Sequence, residues 1–248
     1  MLRHILNAGM KILILLLLFS AWLHAQDSST PISLTDAEEI QAGEAVAKDF
    51  IQQEGMESTP QAKKIDAYLQ AVGDRVAAHA QRKLPYQFRF DPSPGFKSAG
   101  GFPGGQVFVG AGILAYMDTE DQLAMVLGHE IEHIALNHCR DRLIKVMTEQ
   151  HLSTKDFDKL KVEPFLDGYG HDREFAADRE GVKLAMEAGY SADAAIRLLR
   201  TFVILGEQMP HAPKEAKNNL EARIMQIESI RDVSKLPTPV AEKRLALP

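Results

Sequence analysis

The feature that most constrains the fold of this chain is the stretch from residue 123 to 138, which contains the pattern HExxH. Apolar residues recur in it at helical spacing, and Thr119 stands before it as an N-cap ahead of an acidic first turn. Residues four apart on a helix share one face, so His129 and His133 are expected to present their imidazoles to one metal ion. Glu130 falls beside them, in the place of a general base.

A zinc site that performs catalysis needs a third protein ligand, with the fourth position left to water. The pattern HExxHxxGxxH would supply a histidine, but this chain has Leu136 and Cys139 at the decisive positions. The helix is therefore expected to run straight on and carry His138 away from the metal. The other candidate is an ExxxD pair on a second predicted helix. There Glu174 is placed to give a carboxylate oxygen, and Asp178 to accept a hydrogen bond from a ligating histidine.

The chain as a whole resembles the HtpX-like and CAAX-prenyl-protease-like zinc metallopeptidases of the gluzincin group. The resemblance covers residues 36–230 and rests on segments in the family's order: residues 43–47, the helix 65–80, residues 85–88, residues 99–109, the HExxH helix and the ExxxD pair. It implies a zincin-like helical metallopeptidase domain that binds one Zn2+ through His129, His133 and Glu174. It also implies that Glu130 is catalytic and that the substrates are polypeptides.

The sequence departs from the family pattern at several places. Glu132 stands where a small residue is usual, and Ser98 stands where an asparagine often precedes the Gly-rich segment. A His-Pro pair followed by an arginine is also usual, whereas here an alanine separates His211 from the proline and Arg223 lies further on. His211, Tyr169 and Arg223 are candidates for steadying the oxyanion, and His211 is also a candidate for covering the metal in a resting state.

Periodicity predicts a mainly α (α+β) fold with a small β-sheet or hairpin beside the motif helix. Helices are predicted at residues 35–53, 60–80, 172–188, from 191 onward and at 214–230. Strands are predicted at 86–90 and 106–109. This strand pair is either an ordinary hairpin or an edge with which an extended substrate pairs, and sequence alone does not choose between them; the resemblance favours the substrate edge. The residues predicted to form that edge are Gly104, Gly105, Gln106, Val107 and Phe108.

Composition and the two ends of the sequence bound the remaining possibilities. The chain has 248 residues, 45% of them hydrophobic, and a net charge of −6, which suits one globular domain and offers no basic patch for nucleic acid. Residues 1–25 have the pattern of a cleaved signal peptide, with an uncleaved inner-membrane anchor as the alternative. We expect the catalytic domain at 26–235 and a loose tail at 236–248. Cys139 is the only cysteine, and export without a disulfide suits a periplasmic protein.

The sequence therefore predicts a zinc-dependent metalloendopeptidase, with Glu130 as general base toward a water activated by zinc. That it hydrolyses unfolded or misfolded envelope proteins is what the resemblance alone implies. Association with membrane or envelope protein complexes is compatible with this prediction, and the oligomeric state and cleavage preference stay open. One alternative is a chaperone-like binder of unfolded chains with a latent zinc site. The other is a structural zinc protein in which His211 or His171 closes the coordination.

Overall fold

The structure is a computed structural model that describes residues 32–93, 96–207, 214–234 and 242–248. The predicted signal peptide at residues 1–25 and the candidate residue His211 lie outside these ranges. From residue 34 onward the elements belong to one unit, and the predicted mainly α (α+β) class is confirmed. Among the helices of the described ranges, none combines the length and apolarity that a membrane span requires.

The helices follow the predicted periodicity closely, because threonines fix where three of them begin. The side chains of Thr35, Thr59 and Thr119 each accept a hydrogen bond from a backbone N–H of the turn that follows, which satisfies a donor that the helix itself leaves unpaired. The helices are α1 (Asp36–Gln53), α2 (Pro60–Ala77), α3 (Ala111–Leu114), α4 (Glu120–Ala135), α5 (His138–Glu149), α6 (His171–Glu187), α7 (Ala192–Glu207) and α8 (Lys214–Val233).

The small sheet is not a hairpin, because its two predicted strands run parallel. Strands β1 (Gln87–Asp91) and β3 (Gln106–Gly110) pair in parallel, and a further strand, β2 (Ala99–Phe102), pairs antiparallel with the other side of β3. The order is β1-β3-β2, so β3 is the inner strand. Strand β2 was not predicted from the sequence, because an Ala-Gly-Gly-Phe run lacks the β-branched residues typical of strands.

The predicted substrate edge is therefore wrong. Its members Gly104 and Gly105 lie in a buried 3₁₀ turn (Pro103–Gly105), and its members Gln106, Val107 and Phe108 belong to a strand already hydrogen-bonded on both sides. An inner strand has no free N–H and C=O groups to offer an incoming peptide. Among the described residues, β2 is the outermost strand on the side of the sheet away from β1. Its outer edge therefore has no strand partner there.

The sheet separates α1 from the motif helix α4. Side chains alternate along β3, so Val107 and Val109 join the core that includes Leu127 and Ile131 of α4, while Phe108 points the other way. On that other face the ring of Phe108 meets Phe50 of α1 edge-on, with ring centroids 4.7 Å apart. Strand β2, which pairs with β3, also lies close to α4, since a Cβ added to Gly101 would lie 2.9 Å from Glu130 O.

A fully buried carboxylate holds α1 onto these elements. Glu39 accepts hydrogen bonds from Gly104 N (3.0 Å), from Arg82 Nη2 (2.6 Å) and from Arg140 Nε (2.5 Å). Arg82 also donates to the carbonyl of Ile134 in the last turn of α4, at 3.3 Å. The Glu39 side chain thus connects α1 directly to the turn between β2 and β3 and to helix α5. Through Arg82 it also connects α1 to the end of α4.

The prediction of a loose C-terminal tail is wrong for residues 242–248. Lys243 C=O accepts a hydrogen bond from Glu120 N at 2.8 Å, and Leu245 N donates to Asp118 O at 2.9 Å. Arg244 forms a β-bridge with Thr119. The segment therefore docks at the N-terminus of α4, where it satisfies a backbone donor that the helix cannot pair internally.

Replacing Glu39 by alanine is expected to lower the free energy of unfolding by about 3–5 kcal/mol, because the change leaves buried guanidinium and N–H donors without their acceptor. Urea denaturation of the zinc-free protein measures this difference. Glu44→Ala on the exposed side of α1 is the matched control, expected within about 0.5 kcal/mol of the parent. Equal losses for the two variants would contradict the anchoring role of Glu39.

Candidate metal centre

The centre is built where α4 and α6 cross at two glycines. A Cβ atom added to Gly128 would lie 2.5 Å from Gly181 O, and one added to Gly181 would lie 2.6 Å from His129 N. No other residue allows backbones to approach so closely. Because Asp178 and Glu174 lie about one and two turns before Gly181 on α6, this crossing brings both carboxylates to His129.

Three predicted ligands converge. His129 Nε2 lies 3.0 Å from His133 Nε2, and Glu174 places one oxygen 3.4 Å from His129 Nε2 and the other 3.6 Å from His133 Nε2. Ligands about 2.0–2.1 Å from a tetrahedral zinc ion are expected about 3.3 Å from one another. Two imidazoles and one carboxylate with these separations fit a zinc site that keeps one position open.

His129 is oriented by a carboxylate, as the ExxxD spacing predicts. Its Nδ1 lies 2.9 Å from Asp178 Oδ1, so Nδ1 donates to the carboxylate and Nε2 is the nitrogen that faces the centre, where a metal ion would take the place of a proton. Arg223 of α8 donates hydrogen bonds to the same carboxylate from Nε and from Nη2, and Nη2 lies 2.8 Å from Oδ1. The Arg223 guanidinium therefore stabilises the charge that orients the first histidine.

His133 has a different partner, which the sequence reasoning missed. Helix α4 ends at Ala135 and does not run straight on as expected, because Asn137 adopts a left-handed conformation (φ 64°). The chain turns, α5 begins, and His138 Nδ1 lies 2.9 Å from His133 Nδ1. An asparagine just after the apolar repeat was the available signal, since asparagine tolerates this conformation better than most residues.

The electrostatics of the three donors favour a cation between them. Burial alone would lower the pKa of His129, but the hydrogen bonds to Asp178 and Glu174 outweigh it and raise the pKa to about 10. For His133 burial dominates and lowers the pKa to about 4. Burial works against the Glu174 carboxylate, yet its hydrogen bonds with both histidines hold its pKa far below the ordinary value. The Glu174 and Asp178 carboxylates thus stabilise positive charge at this point, whether it is a proton on His129 or a metal ion in its place.

Glu130 lies beside this centre but outside the group of donors. It is buried, lines the same cavity, and accepts a hydrogen bond from the backbone of Gly101 in β2. Burial raises the pKa of its carboxyl group. Glu132 is also buried, and burial raises its pKa to about 7, but it does not line the cavity. Only the first of the two glutamates is in a position to act on a substrate.

Tyr169 forms a wall of the centre, with its hydroxyl group directed elsewhere. Its ring stacks on His133 with centroids 4.5 Å apart, and its hydroxyl donates to Sγ of the buried Cys139 at 3.1 Å. Arg142 lies 3.7 Å from the centroid of the Tyr169 ring and donates to the carbonyls of Phe165, Asp167 and Gly168. Because the hydroxyl is engaged with Cys139, the structure gives no support to an oxyanion role for Tyr169.

The centre opens into a cavity of about 390 Å³. Segment 165–169 and β2 form one side of it, and apolar residues of α4 and α7 line the other, with Arg223 among the lining residues. Among the described residues, the donors that could hold a metal ion are His129, His133 and Glu174. His171 is not among them, because its exposed ring stacks on Phe175 with centroids 4.2 Å apart.

Comparison with known proteins agrees with this geometry. The sequence model of peptidase family M48 matches residues 63–231, which include the three donors, Glu130, Asp178 and Arg223. The chain belongs to peptidase family M48. This membership confirms the resemblance to a family of metallopeptidases given above.

Individual relatives match over a shorter stretch. The beta-barrel assembly-enhancing protease of Escherichia coli strain K12 is 34% identical over 87 residues, which are 35% of this chain and 17% of that protein. The protein of the same name from Yersinia pestis is 33% identical over 84 residues, 34% of this chain and 16% of that protein. The matches thus cover less than a fifth of these relatives.

Gly128→Ala is expected to lower zinc affinity at least about tenfold, because the added methyl group forces α6 and its carboxylates away from α4. Competition with a chelator of known affinity measures the change. Gly168→Ala is the matched control, since its added methyl group would meet no atom within 4 Å. Equal zinc affinities for the two variants would mean that the glycine crossing does not set the position of Glu174.

Proposed function

We propose that this chain is a zinc-dependent metalloendopeptidase in which His129, His133 and Glu174 hold one Zn2+ ion and Glu130 is the general base. The single observation that carries the proposal is the convergence of three ligand side chains, whose nitrogen and oxygen atoms lie 3.0–3.6 Å apart, beside a buried glutamate in one cavity. A structural site would instead be closed by a fourth side chain. The described residues supply no fourth donor to this group.

The proposed mechanism assigns the proton transfers to Glu130. Bound zinc supplies a Lewis acid that polarises the scissile carbonyl and lowers the pKa of water. Glu130 accepts a proton from the attacking water and passes it to the leaving amine. Burial raises the pKa of Glu130, which suits a group that both takes up and releases a proton, and the Gly101 N–H holds the carboxylate in place. Arg223, which lines the cavity, is the remaining described candidate for steadying the oxyanion.

The substrate main chain is proposed to pair with β2. Gly110 N donates to Ser98 O at 2.9 Å, so alternate residues from Ser98 onward face β3, and Ala99 and Gly101 face the free edge. Gly101 O already accepts from Cys139 Sγ at 3.3 Å. Ala99 therefore offers its N–H to an incoming strand. Main-chain pairing requires an extended segment and no particular sequence, which suits unfolded polypeptides.

The proposal also specifies the substrates, which are proteins of the cell envelope. The relatives from Escherichia coli and Yersinia pestis are named for enhancing beta-barrel assembly, and residues 1–25 have the composition of a signal peptide. Together they support a periplasmic protease for unfolded or misfolded envelope proteins. The division into residues 1–25, a domain at 26–235 and a terminal segment at 236–248 belongs to the same proposal.

Glu130→Gln is expected to reduce the degradation of an unfolded model protein by about 10²–10⁴-fold while zinc content stays at one ion per chain, because the amide keeps the shape but cannot take a proton. The assay uses the zinc-loaded protein. Glu132→Gln is the matched control, a buried glutamate on the same helix that does not line the cavity. It is expected to keep the parental rate.

Two other outcomes of this assay would contradict the proposal. Equal degradation by Glu130→Gln and the parent would remove Glu130 from the mechanism. Binding of unfolded protein by both, with degradation by neither and one zinc per chain, would favour the chaperone-like alternative. Removing zinc with a chelator and restoring it provides the internal check, since activity is expected to disappear and return with the metal.

Ala99→Pro is expected to raise KM for an unfolded substrate with little change in kcat, because proline removes the N–H that faces the free edge of β2. Ala99→Ser retains that N–H and is the control. Steady-state kinetics on one fluorogenic peptide separate the two parameters. An unchanged KM in the proline variant would show that substrates do not pair with this strand.

A further inference from the structure

The two histidines of the centre are held by chemically different partners. His129 Nδ1 faces the carboxylate of Asp178, whereas His133 Nδ1 faces an imidazole nitrogen of His138, both at 2.9 Å. A carboxylate can only accept a hydrogen bond, so the tautomer of His129 is fixed by charge. A neutral imidazole can accept or donate, so the tautomer of His133 depends on which of the two rings carries the shared proton.

Only one of these proton positions leaves His133 able to bind a metal ion. A neutral imidazole has one protonated nitrogen and one lone pair. If His138 Nδ1 held the shared proton, His133 Nε2 would carry its own proton and would face the centre as a donor. If His133 Nδ1 holds the proton, Nε2 presents its lone pair to the centre, and His138 Nδ1 is the acceptor.

We propose that His138 is a positioning residue that fixes His133 as the Nδ1-protonated tautomer by accepting its hydrogen bond. The inference rests on the proposed function, because it takes His133 as a metal ligand. His138 acts on the metal only through His133. It is not one of the three donors that converge on the centre.

The surroundings of His138 are built to hold its ring in this place. Asn137 reverses the chain immediately before it, and the His138 side chain is 7% exposed. Its ring centroid lies 5.1 Å from that of His133 and 5.8 Å from that of Tyr169. The next residue, Cys139, and Arg142 one turn on bind Tyr169 from the same helix. The first turn of α5 thus supports one side of the centre as Asp178 supports the other.

The experiment compares His138→Asn with His138→Leu. Asparagine places its side-chain oxygen where Nδ1 of histidine lies, two bonds from Cβ, so it retains an acceptor in a smaller side chain. Leucine fills the space but offers no acceptor. Zinc affinity is measured for both and for the parent by competition with a chelator of known affinity. Urea denaturation of each zinc-free protein records structural effects separately.

We expect His138→Leu to lose about 10–100-fold in zinc affinity and His138→Asn to stay within about threefold of the parent. Equal losses in the two variants, or losses that follow the unfolding free energies of the zinc-free proteins, would overturn the positioning role. Parental affinity in His138→Leu would overturn it as well. Failure of the parent itself to bind zinc would overturn both this inference and the proposed function.

Discussion

The close approach of α4 and α6 at Gly128 and Gly181 is the contact on which the centre depends. Helices with ordinary side chains at a crossing keep their axes 8–10 Å apart in general, and a Cβ at either glycine would collide with the backbone of the other helix. At that short separation, Glu174 reaches both histidines. A glutamate carried on a more distant helix would reach only one of them, and the third position of the centre would be lost.

The charged groups around the centre differ between its two histidines. Glu174 and Asp178 bring two carboxylates to His129, and the Arg223 guanidinium neutralises part of this charge from behind Asp178. On its Nδ1 side, His133 meets the imidazole of His138 rather than a carboxylate among the described residues. A second carboxylate there would make an already acidic pocket bind cations more tightly but would also weaken the electrophilic character of the metal. A neutral imidazole orients the ligand without adding negative charge.

The parts of this site that could be predicted from sequence are those fixed by helical periodicity alone. His129 and His133 share a face because they are four residues apart, and Asp178 follows Glu174 by one turn for the same reason. The inner position of β3 could not be predicted, since it depends on Ala99–Phe102 pairing with it, and three of those four residues are alanine or glycine, which are depleted in strands. The role of His138 depends on one backbone angle at Asn137.

Two segments outside the family match hold the ends of α4, the helix that carries Glu130. The match covers residues 63–231, yet Lys243 pairs with the first turn of α4, and Glu39 of α1 fixes the arginine that binds its last turn. The same Glu39 holds Gly104, which lies in the turn directly after the strand proposed to receive substrate. A shift of α1 would therefore change the distance between that strand and Glu130. In this chain, the spacing between the proposed substrate strand and the proposed general base therefore depends on Glu39, which lies outside the family match.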